Sequence, residues 1–359
     1  MRRNGTKRSS VDQGATIAVR VPRCPAGRSR RSGRRFCVVK RFYDDDGFEF
    51  DRLNLLGAAY RGLTDVGEVL MTLDRIPNAD MEAWVREFAA LGDRVQGLAE
   101  SCLAAHHPTS ARTALLRACS YFATASSNAP GTSDPDRFQR LWERHRDCWD
   151  RATKLFEPPV ESVRIPFEGT ELQGYFFHAR SPHGHGPATG PRPTVILNNG
   201  SDGPVSDMWL FGGAAAVERG WNAVTFDGPG QGAGLHRQHL YFRPDWEKVV
   251  TPVVDWVLER PEVDPARIVL HGISQAGYWV PRAVAFEPRI AAAVADPGVV
   301  RVADSWRAHL PEVMTQLLDQ GDKKDFDAFL LRRVRRRRPA TARPGHARSH
   351  HLSAPDHRT

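Results

Sequence analysis

The residue best placed to do chemistry is Ser274. It stands in the run Ile268-Val-Leu-His-Gly-Ile-Ser-Gln-Ala-Gly277, an apolar strand-like segment that leads into Gly272-Ile-Ser-Gln-Ala-Gly277 and then into a helical pattern. A nucleophile on such a tight strand-to-helix turn needs small residues two positions to either side, because the backbone folds back on itself and a large side chain would collide. Gly272 and Ala276 meet that need, with Ala276 in place of the commoner glycine. By composition alone G-x-S is expected roughly once in a chain of this size, so its specificity comes from the strand before it and the helix after it. The same turn places the backbone N–H of Gln275 at a helix start, where it can donate to a developing oxyanion. A second donor is expected from the stretch Asn198-Asn-Gly-Ser-Asp-Gly203, glycine-rich enough to let backbone amides approach a substrate. The competing reading of that stretch is an ordinary strand-to-helix loop.

Elements must position these groups, and their pattern changes at Pro158-Pro159. Downstream, strands are predicted at Val160–Phe167, Leu172–His178, Thr194–Asn198, Asn222–Phe226, Ile268–Gly272 and Ile290–Ala295. Helices are predicted at Met208–Arg219, Trp246–Glu259 and Gln275–Phe286. The first two strands read as a hairpin, and the later apolar strands joined by helices require a mostly parallel sheet covered on both faces. Upstream, Trp84, Phe88, Leu91, Val95, Leu98 and Cys102 mark one face of a helix capped by Asp80. Ser110 is the expected cap of a second helix through Leu115, Cys119 and Phe122. Phe138, Trp142, His145, Trp149, Ala152 and Phe156 stripe a third, with His145 read as a core residue and His106 and His107 as solvated turn residues. The fold class is α/β with an N-terminal all-helical domain. Its segments are a basic, disordered 1–41, a helical cap-like 42–157, a core of six strands at 158–330 and an Arg-rich tail at 331–359.

These pieces resemble the α/β-hydrolases, in particular the subgroup with an N-terminal helical domain that includes 2,6-dihydroxypseudooxynicotine hydrolase, FrsA-like esterases and fungal polyketide-shortening hydrolases. The matching segments are Asn198 to Gly203, Phe226-Asp-Gly-Pro-Gly-Gln-Gly232, Phe242-Arg-Pro-Asp-Trp246, Gly272 to Trp279 and Asp296-Pro-Gly-Val299, within a likeness that runs from about 48 to 330. The resemblance implies Ser274 as nucleophile, Asn199, Gly200 and Gln275 lining the oxyanion hole, and helices that cover the pocket and set substrate size. It sets Asp202 near an acidic residue of the nicotine-pathway enzyme. It implies no metal and no organic cofactor.

The resemblance also implies a triad in the order Ser, then Asp or Glu, then His, after the seventh and eighth strands. Only 85 residues follow Ser274, and beyond about Leu331 the sequence Arg332-Arg-Val-Arg-Arg-Arg-Arg-Pro holds no apolar run for a buried strand. The last two strands are therefore expected to be absent, and Asp356 is read as coincidental. Asp296, ending the sixth strand, is an alternative acid, in the place pancreatic lipase uses. Its competing role is a turn residue before Pro297. His236, His239 and His309 are base candidates outside any known base position, and His271 reads as buried packing. Lacking a base, Ser274 would be nearly unactivated.

Charge sorts the remaining readings. Residues 1–41 carry 13 Lys or Arg against Asp12, and 332–359 carry nine Arg against Asp356. The body between them holds 28 basic and 40 acidic residues. An acidic body argues against a nucleic-acid-binding core and leaves only the basic ends for that partner. The Arg34-Arg35-Phe36 start of a twin-arginine signal fails because Lys40, Arg41 and Asp44 to Asp46 occupy its apolar segment. The Arg-, Pro- and His-rich tail matches the product of a frameshift in GC-rich DNA, and the N-terminus matches an early start. Five cysteines without a CxxC pair point to a reducing, cytoplasmic setting. The spacing of His183 and His185 in the Ser181–Pro193 loop is a weak sign of a metal site. No run is long and apolar enough to span a membrane. A hydrolase acting on a small-molecule ester or a carbon–carbon bond beside a carbonyl, possible as a homodimer, is the leading expectation. A non-catalytic remnant or binding module and a body tethered to nucleic acid are the alternatives.

Overall fold

The computed structural model describes residues 41–181 and 186–302, with 304, 316 and 319. The chain divides into Met1–Arg41 and Phe42–Thr359, and every described helix and strand belongs to the second unit. The expectations at His183, His185, His309 and Asp356, and for the two basic ends, lie outside the described residues.

Among the described residues five α-helices come first: α1 (Asp46–Ala58), α2 (Val66–Leu73), α3 (Met81–Ala104), α4 (Pro108–Asn128) and α5 (Arg137–Thr153). Three start on side-chain caps, with Asp45, Asp65 and Asp80 accepting from the amides of Phe48, Glu68 and Ala83 at 2.9 Å. The second long helix starts earlier than expected. Pro108 opens it, because a first-turn residue needs no N–H donor, and Ser110 lies inside. The α3 stripe is buried from Trp84 to Val95, but Leu98 is 48% exposed and Ala99 takes its place inside. A strict seven-residue stripe drifts around a helix of 3.6 residues per turn, and over 24 residues the drift carries its last positions out of the core.

The sheet comes next in the chain: β1 (Glu161–Phe167), β2 (Thr170–Phe177), β3 (Arg192–Asn198), β4 (Asn222–Phe226), β5 (Val263–Ile273) and β6 (Ala292–Asp296), in spatial order β1-β2-β4-β3-β5-β6. The hairpin β1–β2 is antiparallel and joins β4 antiparallel, and the other pairings are parallel. This is the mostly parallel α/β sheet the sequence implied. Helices α6 (Ala214–Glu218), α7 (Gly232–His236), α8 (Glu247–Leu258) and α9 (Ala276–Val284) connect the strands. The continuous helix expected over Met208–Arg219 is broken. A π-helical turn, Trp209–Gly213, precedes α6 with Gly212 non-helical, because that segment presses on the sheet: a Cβ on Gly212 would fall 2.6 Å from Leu197 Cδ2.

Two apolar layers hold the sheet. On one face Ile196, Val224, Phe226, Ile268 and Leu270 pack against the valines of α8 and against Trp279 and Val280 of α9. On the other, Val195, Leu197 and Ala223 join one cluster with Trp84, Phe88, Tyr121 and Trp149 of the helices, so the helical layer and the sheet share a core. A buried ion pair crosses that seam. Arg146 of α5 donates to Asp227, the residue after β4, at 2.6 Å with both side chains buried. Burial opposes the Arg146 charge, but Asp227, Tyr175 and Asp150 more than offset it and hold its pKa above the ordinary value.

Removing one member of a buried pair leaves a lone charge in the interior, which costs about 3–5 kcal/mol. Arg146→Met should therefore lower the urea midpoint far more than Arg164→Ala, whose side chain is 74% exposed in its pair with Glu171 and contributes about 1 kcal/mol or less. Similar losses in the two variants would show that the seam does not depend on this pair.

Candidate active site

The site is built on the turn between β5 and α9. Ser274 has φ +57°, a left-handed backbone that non-glycine residues adopt only when their surroundings impose it. Its amide donates to the Asp296 carbonyl at 2.8 Å, and its carbonyl accepts from Gly277 N–H at 2.9 Å. The reversal brings α9 over the end of β5, where a Cβ on residue 272 would lie 2.6 Å from the Ala276 carbonyl oxygen and 2.9 Å from its Cβ. Gly272 and the small Ala276 are thus required by the turn, as the sequence implied. Ser274 itself is exposed.

The loop after β3 meets this turn. A Cβ on Gly200 would sit 2.8 Å from Ser274 Cβ and 3.2 Å from Ser274 Oγ, so only glycine admits this approach. The Gly200 N–H is donated to Asn199 Oδ1 at 2.8 Å. Asn199 does not present a free side chain either, since its Nδ2 donates to the carbonyls of Gly203 at 2.6 Å and Pro204 at 3.0 Å. Its side chain staples the loop. Among the described residues the Gln275 N–H has no acceptor, which leaves it available at the head of α9. Asp202 is exposed and accepts from Ser201 Oγ at 3.2 Å, and Asp51 of α1 is half-buried. Burial raises the Asp51 pKa, Asn128 opposes the rise, and the charge of Asp202 adds to it.

Residues that sequence reasoning missed hold these loops. Gln231, buried in the turn after β4, donates from Nε2 to the carbonyls of Asn199 at 2.7 Å and Gly200 at 2.6 Å, while its Oε1 accepts from Gly228 N–H at 3.0 Å. Trp246 Nε1 donates to Asn198 Oδ1 at 2.6 Å, and its indole stacks on Trp279 of α9 at 3.8 Å. The signals were present: Gln231 lies within Asp227-Gly-Pro-Gly-Gln-Gly232, and Arg146 is a charge four residues after Trp142 on an apolar helix face.

No side chain hydrogen-bonds Ser274 Oγ among the described residues. His236 is committed elsewhere, its ring packed at 4.7 Å from Phe138 and 5.1 Å from Trp142. His239 occupies a left-handed turn. His271 is half-buried rather than enclosed. Desolvation lowers its pKa, and the charge of Asp296, on the neighbouring strand two positions further on, works in the opposite sense. Asp296 contributes its backbone carbonyl to the Ser274 turn. His145 is buried as expected, with Nδ1 3.2 Å from the Cys119 carbonyl, and burial depresses its pKa to about 3. Glu161, His178 and Glu262 bring possible metal-ligating atoms together, but Arg260 already donates to both carboxylates at 2.6 Å. Their place, at the start of β1 and before β5, is the opposite end of the sheet from Ser274.

No family model matches the chain. It is 32% identical over 301 residues to an α/β hydrolase, xenA, of Xenoacremonium sinensis, which covers 80% of this chain and 68% of that protein. The chain belongs to the α/β-hydrolases. It is also 33% identical over 283 residues to hydrolase acrC of Aspergillus aculeatus, covering 76% of this chain and 66% of that one. The crystal structure of 2,6-dihydroxy-pseudo-oxynicotine hydrolase superposes with a TM-score of 0.61 at 23% identity, over 72% of this chain and 69% of that one, and shows the same fold. The chain thus spans about two thirds of the length of the curated relatives it matches. Among the described residues no helix is long and apolar enough to cross a membrane.

Burial pushes the Asp207 carboxyl, in the loop between β3 and the π-helical turn, from 3.8 up to about 7. Between those values the folded chain keeps a proton that the unfolded chain has released. The stability this supplies is complete below about pH 4 and lost as pH rises through about 7, at up to ~1.4 kcal/mol per pH unit. Asp207→Asn should gain on the parent protein over pH 4 to 7 in urea titrations and keep a constant lead above that range. A lead independent of pH would show that Asp207 does not titrate there.

Proposed function

We propose that this chain carries the nucleophile and oxyanion half of a serine hydrolase, acting on a small-molecule ester or on a carbon–carbon bond beside a carbonyl. The observation that carries the reading is the exposed, left-handed Ser274, with Gly200 pressed against it and the Gln275 N–H beside it without an acceptor among the described residues. Ser274 Oγ would attack the carbonyl carbon and lose its proton to a base, while the carbonyl oxygen takes negative charge facing the Gln275 amide. Collapse of the tetrahedral species would break the bond to the leaving group, which takes the proton, and water would then release the acyl group from Ser274.

The Gly200 amide is held by Asn199, so the second donor in this reading is the next one along the loop, Ser201 N–H, which has no acceptor among the described residues. Asp202, in the same loop as Gly200, would suit a substrate with hydroxyl or other donor groups beside its carbonyl. Asp296 remains the candidate acid.

A second reading, a pocket that binds without turnover, is favoured by the lack of any base on Ser274 Oγ among the described residues. Labelling with a fluorophosphonate probe separates the two. The hydrolase reading expects labelling that disappears in Ser274→Ala and follows the titration of a base. A folded protein that takes up no probe would leave the binding reading in possession.

A further inference from the structure

We infer that Arg146 is a positioning residue for the nucleophile, acting from the helical layer through Asp227 and Gln231 on the backbone of Asn199 and Gly200. The inference deepens the serine-hydrolase reading and rests on it for its catalytic meaning.

The path is continuous and buried at each step. Arg146 Nη1 donates to Asp227 Oδ2 at 2.6 Å, and the same oxygen accepts from Ala233 N–H at 3.0 Å, the first turn of α7. That carboxylate holds both ends of the Asp227–Ala233 turn. The amide of Asp227 is fixed in turn by the Gln173 carbonyl of β2 at 2.8 Å. Inside the turn, Gln231 N–H donates to the Gly228 carbonyl at 3.0 Å and its side chain accepts from Gly228 N–H, so the Gln231 amide has a single orientation. Its two remaining protons reach the carbonyls of Asn199 and Gly200, and Gly200 is the residue in contact with Ser274.

Charge and geometry give the chain of contacts its direction. The β4–α7 turn is rich in glycine; Gln231 and the Gly230 N–H to Leu240 carbonyl bond at 2.8 Å shape its interior, and the Asp227 carboxylate ties its two ends together. That carboxylate is stable in the interior only beside a cation, and the cation comes from α5 rather than from the sheet. Displacing α5, or removing its guanidinium, therefore loosens the tie between the ends of the turn that carries Gln231, whose amide bonds the Gly200 carbonyl. A shift of about 1 Å at a reacting centre can lower a rate on the order of a hundredfold. The helical layer would then influence the reactivity of Ser274 and not only the width of the pocket.

The test is a double-mutant cycle on the full chain with Arg146→Met, Gln231→Leu and the combination, alongside Arg146→Lys. Amide hydrogen exchange is followed in peptides covering 199–203, with the β1–β2 hairpin as internal reference, and the rate of fluorophosphonate labelling is followed in parallel. Each single variant should raise exchange at 199–203 roughly tenfold relative to the hairpin. The double variant should do no more than the stronger single, and Arg146→Lys should restore part of the loss. Labelling of Ser274 should fall in the same order. If the lone carboxylate left by Arg146→Met unfolds the protein, Arg146→Met with Asp227→Asn removes both charges and takes its place in the cycle. Unchanged exchange at 199–203 in the arginine variants, or effects that multiply in the double variant, would overturn the inference. Absence of labelling in the parent protein would overturn the hydrolase reading alone, and the exchange cycle would still decide the coupling.

Discussion

A chain that passes from strand to helix at a single residue must put that residue in a left-handed backbone, and the rest of the candidate site is arranged around this constraint at Ser274. The turn closes only if residues 272 and 276 are small. It is also tied sideways, since the Ser274 amide is satisfied by the last carbonyl of β6. The register of β5 against β6, where Ile273 pairs with Asp296, is thus part of the turn and not merely of the sheet. On the other side the Trp246–Trp279 stack fixes α9 against α8, and Trp246 reaches back to Asn198 at the end of β3. Three strands and two helices converge on one backbone conformation.

The loops near Ser274 obey a different rule. Glycine gives them close approach but no shape of their own, so buried side-chain amides supply the hydrogen bonds that strands and helices would otherwise provide. Asn199 satisfies its own loop, Gln231 joins two loops, and Asn198 joins a strand to a helix. These amides are neutral and bond in both directions, which suits sites where the backbone presents carbonyls and N–H groups side by side. The Arg260 cluster at the opposite end of the sheet shows the alternative: long, partly exposed charged side chains that pair with one another and shape no backbone.

Much of this was legible in the sequence, for reasons that also explain what was not. The alternation of short apolar runs with helical stripes carried the fold class, and Gly272, Ser274 and Ala276 carried the turn, because steric demands on a backbone leave their mark in residue size. The α3 stripe was legible until helix drift exposed Leu98. The helix before β4 was misread as continuous because its break comes from contact with Leu197, a residue distant in sequence. Roles set by partner choice were harder to read. Asn199 and Gly200 are adjacent, and only the fold shows that one consumes the amide of the other. Arg146 and Asp227 are 81 positions apart, and nothing local in either segment announces the pair.

That separation has a bearing on modularity. The first five described helices look like an accessory that recombination could exchange among hydrolases to alter what reaches the catalytic floor. The Arg146–Asp227 pair makes the exchange conditional. A graft whose fifth helix lacks a cation at this point would strand a carboxylate in the interior of the recipient, beneath the turn on which Gln231 sits. Helical layer and sheet are therefore expected to be inherited together, or to change together at these two positions.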